Sequence, residues 1–322
     1  MRHVLRVVAF LLIIATAWLL LPFGSEGVDS QPRPATNYEQ AISRIDSLRA
    51  DDLSAIAAEC GTQLLTHGRR TTHVIVLLHG LTNCPAQFDS LARLAFANGA
   101  NVLVPRLPHH GFADRMTDEL ARVNARELCA FADRVLDAAH GLGDTLTVAG
   151  LSIGGVMTAW AAQERPDVDR AVVIAPMIGW ARAPGTLRTR AITRLGLTLP
   201  NQFVWWDDVR KQELGGPKHV YPRFASHSVA ATMWLGGTVL ERAARSGPAA
   251  RSLVMVTVGG DIAADNGAAA ALANAWREHG AREVLTYEFP ASLKLNHDIV
   301  DPEQVGGNPV LSYPVLLRFT SR

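Results

Sequence analysis

Apolar and polar positions change rhythm along the chain, and each rhythm predicts a different element. Residues 7–23 are an uncharged, almost wholly apolar run preceded by Arg2 and Arg6. Residues 24–37 place Pro32 and Pro34 among small and polar residues and predict a flexible tether. Over residues 38–58 the apolar positions Ile42, Ile45, Leu48, Leu53 and Ile56 fall at helical spacing, which predicts one or two leading helices. The run His73-Val74-Ile75-Val76-Leu77-Leu78 is β-branched and apolar at nearly every position, as in a strand covered on both faces.

From there strands and helices alternate. Residues 86–97 predict a helix, 102–107 a strand, 114–140 one or two helices, 146–149 a strand, a segment from about Gly155 to Arg165 a helix, and 170–175 a strand. After residue 250 the alternation resumes with a strand at 253–258, a helix at 267–278, a strand at 284–289 and a closing helix. Such an order implies a mostly parallel sheet with helices on both faces. Residues 180–250 interrupt it. They hold Pro184, Pro200, Pro217 and Pro222 and the aromatics Phe203, Trp205, Trp206, Tyr221, Phe224 and Trp234, without a clear buried strand. An excursion this long inside an α/β domain is rarely structureless, so a helical insertion is expected. Its aromatics suit both a small core of its own and an acyl-binding wall.

Composition narrows the class. With 322 residues, 48% of them hydrophobic, the chain buries a sizeable core as one large domain or one domain with an insertion. The 31 basic and 30 acidic residues leave a net charge of +1, which offers no basic surface for nucleic acid. The leading apolar run approaches the length needed to cross a bilayer and exceeds most signal-peptide cores. An uncleaved membrane anchor is the preferred reading, the arginines holding the N-terminus in the cytoplasm and the body exported. The alternative is a cleaved signal and a secreted protein, with Ser25 and Gly27 in the small positions of a cleavage site. No cysteine follows the run, so a lipoprotein anchor is excluded. In an oxidising compartment Cys60 and Cys84 either pair or remain free thiols, whereas Cys129, in a helical pattern, reads as a small buried hydrophobe. No CxxC spacing suggests zinc.

The chemistry centres on residues 146–161. An apolar strand passes through Gly150-Leu151-Ser152-Ile153-Gly154 into a helix. That context turns a GxSxG match from a common turn into a candidate nucleophile elbow. Ser152 then stands on a sharp turn at a helix N-terminus, where developing negative charge is favoured. A serine hydroxyl needs a general base, and the base needs an orienting carboxylate. His297 lies on the loop after the strand at 284–289, and Asp261 comes directly off the strand at 253–258. Asp265 is the alternative carboxylate, although a helix cap is its natural role. Asp298 and Asp301 sit beside the base and read as loop and capping residues. The backbone N–H groups of Ile153 and Leu81 are the expected oxyanion donors, with His79 bracing the loop that carries Leu81. His109 and His110 adjoin a strand end, as bracing or pocket-lining residues before metal ligands. No metal or organic cofactor is called for.

The His79-Gly80 turn, the Gly150 to Gly154 elbow, Asp261 and His297 together resemble the α/β-hydrolase superfamily. The strings Thr82-Asn83-Cys84-Pro85, Pro105-Arg106-Leu107-Pro108-His109-His110-Gly111 and His297-Asp298-Ile299-Val300-Asp301-Pro302 are similar to bacterial exported or membrane-anchored hydrolases of its esterase, monoacylglycerol lipase and serine aminopeptidase branch. The resemblance covers residues 71–322. It implies an eight-stranded, mostly parallel sheet, a helical cap, and hydrolysis through an acyl-enzyme; the expected substrate is a small-molecule carboxylic ester. The expected division is an anchor or signal at 1–27, a tether and leading helices at 28–70, two core halves at 71–179 and 251–322, and the cap at 180–250. An aminopeptidase, which would use Asp207, Asp208 or Glu213 to hold a substrate amine, is the alternative enzyme. A non-catalytic envelope protein is the alternative class. Substrate and oligomeric state do not follow from the sequence.

Overall fold

The computed structural model describes residues 1–52, 55–209, 211 and 214–321. The first half runs α1 (Arg2–Leu20), α2 (Tyr38–Arg49), β1 (Gln63–Leu65), β2 (Thr71–Leu78), α3 (Asp89–Ala97), β3 (Asn101–Val104), α4 (Ala125–Ala139), β4 (Gly143–Leu151), α5 (Ile153–Glu164) and β5 (Arg170–Ile174). The second half runs α6 (Thr186–Thr198), β6 (Phe203–Trp205), β7 (Arg223–Ala225), α7 (Ser226–Ala243), β8 (Ser252–Val258), α8 (Asn266–Glu278), β9 (Val284–Phe289) and α9 (Pro309–Thr320).

The apolar run of β2 is the axis of the sheet because its side chains are buried alternately on opposite faces. Val74, Val76 and Leu78 enter one core with α2, α4, α5, α7 and α8; Ile75 and Leu77 enter the other with α3 and α9. The strand order is β1-β3-β2-β4-β5-β8-β9, with β1 antiparallel and every other pair parallel. The chain leaves β2 toward β3 and returns across it to β4, so the order reverses between β2 and β4. In open α/β sheets such a reversal opens a crevice at the carboxyl ends of the strands.

Several expectations are corrected. Among the described residues the sheet has seven strands, not eight, because the chain before β1 folds as α2 and a packed segment and supplies no further edge strand. The strand expected at 102–107 stops at Val104, before Pro105, whose ring removes a ladder donor. The helix after Ser152 starts at Ile153, not near Gly155. The leading helix ends at Arg49; Leu53 lies outside the described residues.

Residues 24–37 are no free tether. The indole N–H of Trp234 donates to the Phe23 carbonyl, Thr238 Oγ1 to that of Gly24, and Trp160 Nε1 to that of Val28 at 2.6 Å. The N–H groups of Gln31 and Arg33 donate to Asp133 and Asp137, two carboxylates that also pair with the buried Arg165. Val28 and Ala35 are fully buried. Backbone polarity thus finds fixed partners, which composition does not reveal.

The insertion at 180–250 divides in two. Helix α7 packs against α5 and α8 and belongs to the core, while α6 packs on α7 and α1, and β6 and β7 form a small antiparallel pair of their own. Those strands, three residues each, are too short to show periodicity in sequence. Helix α1 is exposed, and by length and composition it is apolar enough to cross a membrane. Its end is held to α6 by Arg194, which donates to the Leu21 carbonyl and lies over the rings of Trp18 and Phe23.

Candidate active site

The turn at Ser152 is built by steric necessity. Ser152 has φ 60° and ψ −112°, a conformation that L-residues avoid, and its N–H donates to the Ile174 carbonyl at 3.0 Å. The glycines around it leave room for neighbouring backbone. A Cβ on Gly154 would lie 2.0 Å from the Leu78 carbonyl oxygen, and one on Gly150 would lie 2.2 Å from that of Gly154. Strand β4, the turn and β2 therefore approach more closely than any side chain permits, and α5 begins directly beneath the serine.

On the far side of the crevice, β8 and β9 deliver a paired imidazole and carboxylate. His297 Nδ1 lies 2.7 Å from Asp261 Oδ2. Asp261 Oδ1 accepts the N–H groups of Ala263 and Ala264. Burial alone would raise the Asp261 carboxyl, but the His297 bond, its attraction and the two backbone donors hold it below the usual carboxylate range. A carboxylate acceptor fixes the ring proton on Nδ1 and leaves Nε2 as the lone-pair nitrogen. Asp265 takes the other role: it caps α8, accepting from Gly267 N–H.

The loop after β2 carries the other half. His79 is fully buried, and burial drives its pKa well below the ordinary value, so it is neutral. Leu107 N–H donates to its Nε2 at 3.1 Å, which places the proton on Nδ1, and Nδ1 donates to the Gly80 carbonyl at 3.0 Å. In a trans peptide N–H and C=O point in opposite directions, so fixing the Gly80 carbonyl aims the Leu81 N–H away from the His79 ring. Beyond it, Cys84 is disulfide-bonded to Cys60, stapling the loop to the segment before β1. The remaining cysteine, Cys129, is buried, which pushes its thiol up.

His109 and His110 serve the neighbouring loop. His109 faces Glu119 and Glu127 with its two ring nitrogens, at 2.8 and 3.0 Å. His110 donates from Nδ1 to the Pro108 carbonyl and meets the His79 ring edge-on; burial pushes its pKa down to about 4. Adjacent in sequence, they point into different surroundings.

A chain of contacts brings the halves together. Asp298, next to His297, accepts from Gln87 Nε2 at 2.6 Å, and Gln87 Oε1 accepts Gly80 N–H at 2.7 Å. A Cβ on Gly80 would lie 3.9 Å from Ser152 Cβ. The loop bearing His297 therefore reaches across β8, β5 and β4 to the serine side of the crevice. Among the described residues no hydrogen bond links Ser152 Oγ to His297. Leu81 and Ile153 keep backbone N–H groups with no hydrogen-bond partner among the described residues.

Sequence reading passed over Gln87 and underrated Asp298 and Asp301. Asp298 caps its own loop through Val300 and Asp301, as expected, and also reaches Gln87; Asp301 pairs with His219 at 2.9 Å. The only signal was a polar residue inside the apolar string Pro85-Ala86-Gln87-Phe88. Of the suggested amine-binding acids, Asp207 accepts Val209 N–H, Asp208 is exposed, and Glu213 lies outside the described residues.

Residues 75–303 match the alpha/beta hydrolase family. A curated relative, the thermostable monoacylglycerol lipase of Bacillus sp. strain H-257, is 29% identical over 141 residues, 40% of this chain and 53% of that protein. The chain thus matches about half the length of that relative. Among solved structures, the fold is shared with a lipolytic enzyme from the metagenome-derived pair LipS and LipT (TM-score 0.60, 18% identity, 83% of this chain and 99% of that one). It is also shared with a soluble variant of monoglyceride lipase from Saccharomyces cerevisiae (TM-score 0.59, 14% identity, 81% and 90%).

Proposed function

The chain belongs to the alpha/beta hydrolase family, and on that premise we propose that it is an esterase- or lipase-like serine hydrolase of carboxylic esters. Ser152 Oγ attacks the ester carbonyl while His297 Nε2 takes its proton. Asp261 holds the ring through Nδ1 and stabilises the imidazolium. The N–H groups of Leu81 and Ile153 receive the carbonyl oxygen as it becomes an oxyanion. Collapse of the tetrahedral intermediate breaks the bond to the alkoxy group, which leaves with the proton from His297. Water then repeats the sequence on the acyl-enzyme, releasing the acid and restoring Ser152. These steps call on no metal or cofactor.

The observation that carries this reading is the 2.7 Å bond between His297 Nδ1 and Asp261 Oδ2, on a loop tied back to the strained serine turn. The ester class is supported by the relative's description as a monoacylglycerol lipase. In the same reading residues 180–225 act as the cap over two core halves, and α1 anchors the protein with its body on the exported side. Mass spectrometry of the mature N-terminus separates that anchor from a cleaved signal.

The test is labelling by a fluorophosphonate probe. The unmodified protein is expected to label at Ser152, and Ser152→Ala to lose labelling and a thousandfold or more of p-nitrophenyl ester turnover while remaining folded. Absence of labelling in the unmodified protein sinks the assignment, and turnover confined to aminoacyl anilides replaces the ester with an amide.

A further inference from the structure

We propose that Gln87 is a positioning residue that sets the oxyanion hole by tying the loop after β2 to the loop carrying His297. The inference rests on the serine-hydrolase reading above and goes one residue deeper into it.

The geometry leaves the Gln87 amide a single orientation. Its Oε1 accepts the Gly80 N–H at 2.7 Å, and its Nε2 donates to Asp298 Oδ2 at 2.6 Å. Reversing the amide would set a donor against a donor at one end and oxygen against oxygen at the other. Asp298 is fixed in turn, because Oδ1 accepts the N–H groups of Val300 and Asp301 at 3.0 Å each and Asn83 Nδ2 also donates to Oδ2. Burial raises the Asp298 carboxyl above its usual range, which makes the strong donor from Gln87 the more necessary. Gln87 itself is 2% exposed, so water cannot take its place.

Gly80 is where this matters. The peptide before it is held by Gln87 through the Gly80 N–H, and the peptide after it by His79 through the Gly80 carbonyl. That second peptide carries the Leu81 N–H. Without Gln87, the loop keeps one restrained plane, its Gly80 carbonyl held by His79 and by the Asn83 N–H at 3.2 Å, and can rotate about Gly80, the residue with least steric resistance to doing so. With Gln87 the two planes are fixed together, and the fixed point on the other side is the residue next to the base. Donor and base are then positioned by one continuous set of bonds joining residues 211 positions apart.

A space-filling role and a positioning role make different predictions. Gln87→Met keeps the volume and removes both bonds; it is expected to lower kcat for a p-nitrophenyl ester, and the rate of fluorophosphonate labelling, by about tenfold to a hundredfold with KM within about threefold, a fraction of what a lost oxyanion donor costs. Gln87→Glu places two carboxylates face to face, and they share a proton more readily as pH falls. Its activity relative to the unmodified protein is therefore expected to rise between pH 8 and pH 6. Combining Gln87→Glu with Asp298→Asn reverses the polarity of the bridge: the asparagine Oδ1 keeps Val300 and Asp301 while its Nδ2 donates to Glu, and only the long 3.4 Å bond from Asn83 Nδ2 is given up. The double variant should recover at least tenfold over Gln87→Glu at pH 8.

Labelling of Gln87→Met within twofold of the unmodified rate, or no recovery in a folded double variant, overturns the inference. If Gln87→Met does not fold, the double variant and the pH ratio of Gln87→Glu decide. Failure of the unmodified protein to label removes the serine-hydrolase reading itself and this inference with it, a result that no Gln87 outcome imitates.

Discussion

The loops at the carboxyl ends of β2, β4, β8 and β9 and the segment that meets them, residues 180–225, are held by different means. In the loops the side chains that brace the backbone have fixed partners on each side. Both nitrogens of His79, both oxygens of Asp261 and both oxygens of Asp298 are engaged. The covering segment meets them through Trp206 Nε1 on Thr82 Oγ1, Tyr221 N–H on the Thr82 carbonyl, His219 on Asp301, Gly185 N–H on Asp265 Oδ2, and a bridge between Trp180 and Ala264. It also leaves Leu187, Leu195, Leu199 and Val209 exposed. The proposed reaction needs preorganised groups, and a backbone pinned from both ends supplies them.

Three comparisons test this contrast from the largest effect downward. Asp261→Asn strikes the pinned part at its most sensitive point. The amide cannot serve as an acceptor-only partner, so it favours the wrong His297 tautomer; ester turnover should fall about a thousandfold or more, or ~4 kcal/mol in barrier, with the fold retained. The sign of the pH effect follows from the same pair. Because the folded Asp261 pKa lies below its unfolded value, its stabilising contribution is present above about pH 4 and is lost only as pH falls through the depressed folded value. Acid unfolding of Asp261→Asn, followed by circular dichroism, should lack that contribution; identical acid limbs in the two proteins would detach Asp261 from the pair.

Gly154→Ala attacks the pinned part through sterics rather than charge. Its Cβ meets the Leu78 carbonyl oxygen at 2.0 Å, and backbone on both sides must move. A loss of about 3 kcal/mol or more is expected in urea unfolding, as for other severe overpacking. A Gly→Ala change at the solvent-facing Gly185, on the covering segment, meets no atom within 4 Å; its cost is confined to the strain of φ 102°. If the two substitutions cost the same, close approach at the elbow does not set the difference between the regions.

The contrast also explains what the sequence could disclose. Strand ends in a parallel sheet gather at one edge, so chain order alone anticipated that Asp261 and His297 would meet and that Asp265 would cap α8. Periodicity found β2, β4, β5, β8 and β9 because their apolar runs are long enough to show it. It missed β6 and β7, whose pairing depends on partners twenty residues apart. It read residues 24–37 as a tether because nothing local shows that Trp160, Trp234 and the Arg165 cluster satisfy that stretch of backbone. The Gln87–Asp298 bond was hidden for the same reason: a glutamine in a turn has no periodicity, and its partner is named only by the tertiary fold.

The smallest effect belongs to the join between the two regions. His219, on the covering segment, and Asp301, four residues past His297, lie 2.9 Å apart with side chains 7% and 1% exposed. Burial alone would lower the His219 pKa, but the bond to Asp301 and the attraction of Asp301, Glu303 and Asp298 raise it overall. A histidine whose folded pKa exceeds its unfolded value contributes stability that is complete below about pH 6.5 and disappears as pH rises through the folded value. Thermal midpoints should therefore fall from pH 6 to pH 9 more steeply in the unmodified protein than in His219→Gln, whose neutral donor keeps one bond but gains no charge. The difference is on the order of 1 kcal/mol, or about 2 °C in a chain of this size. Turnover of a short, soluble ester should stay within about twofold, since His219 touches the loop and not the reacting atoms, whereas KM for a long-chain ester should change with the looser cover. Parallel midpoint curves would show that His219 and Asp301 exchange no charge across the join. An equal loss on short and long esters would place the residue in the pinned part after all.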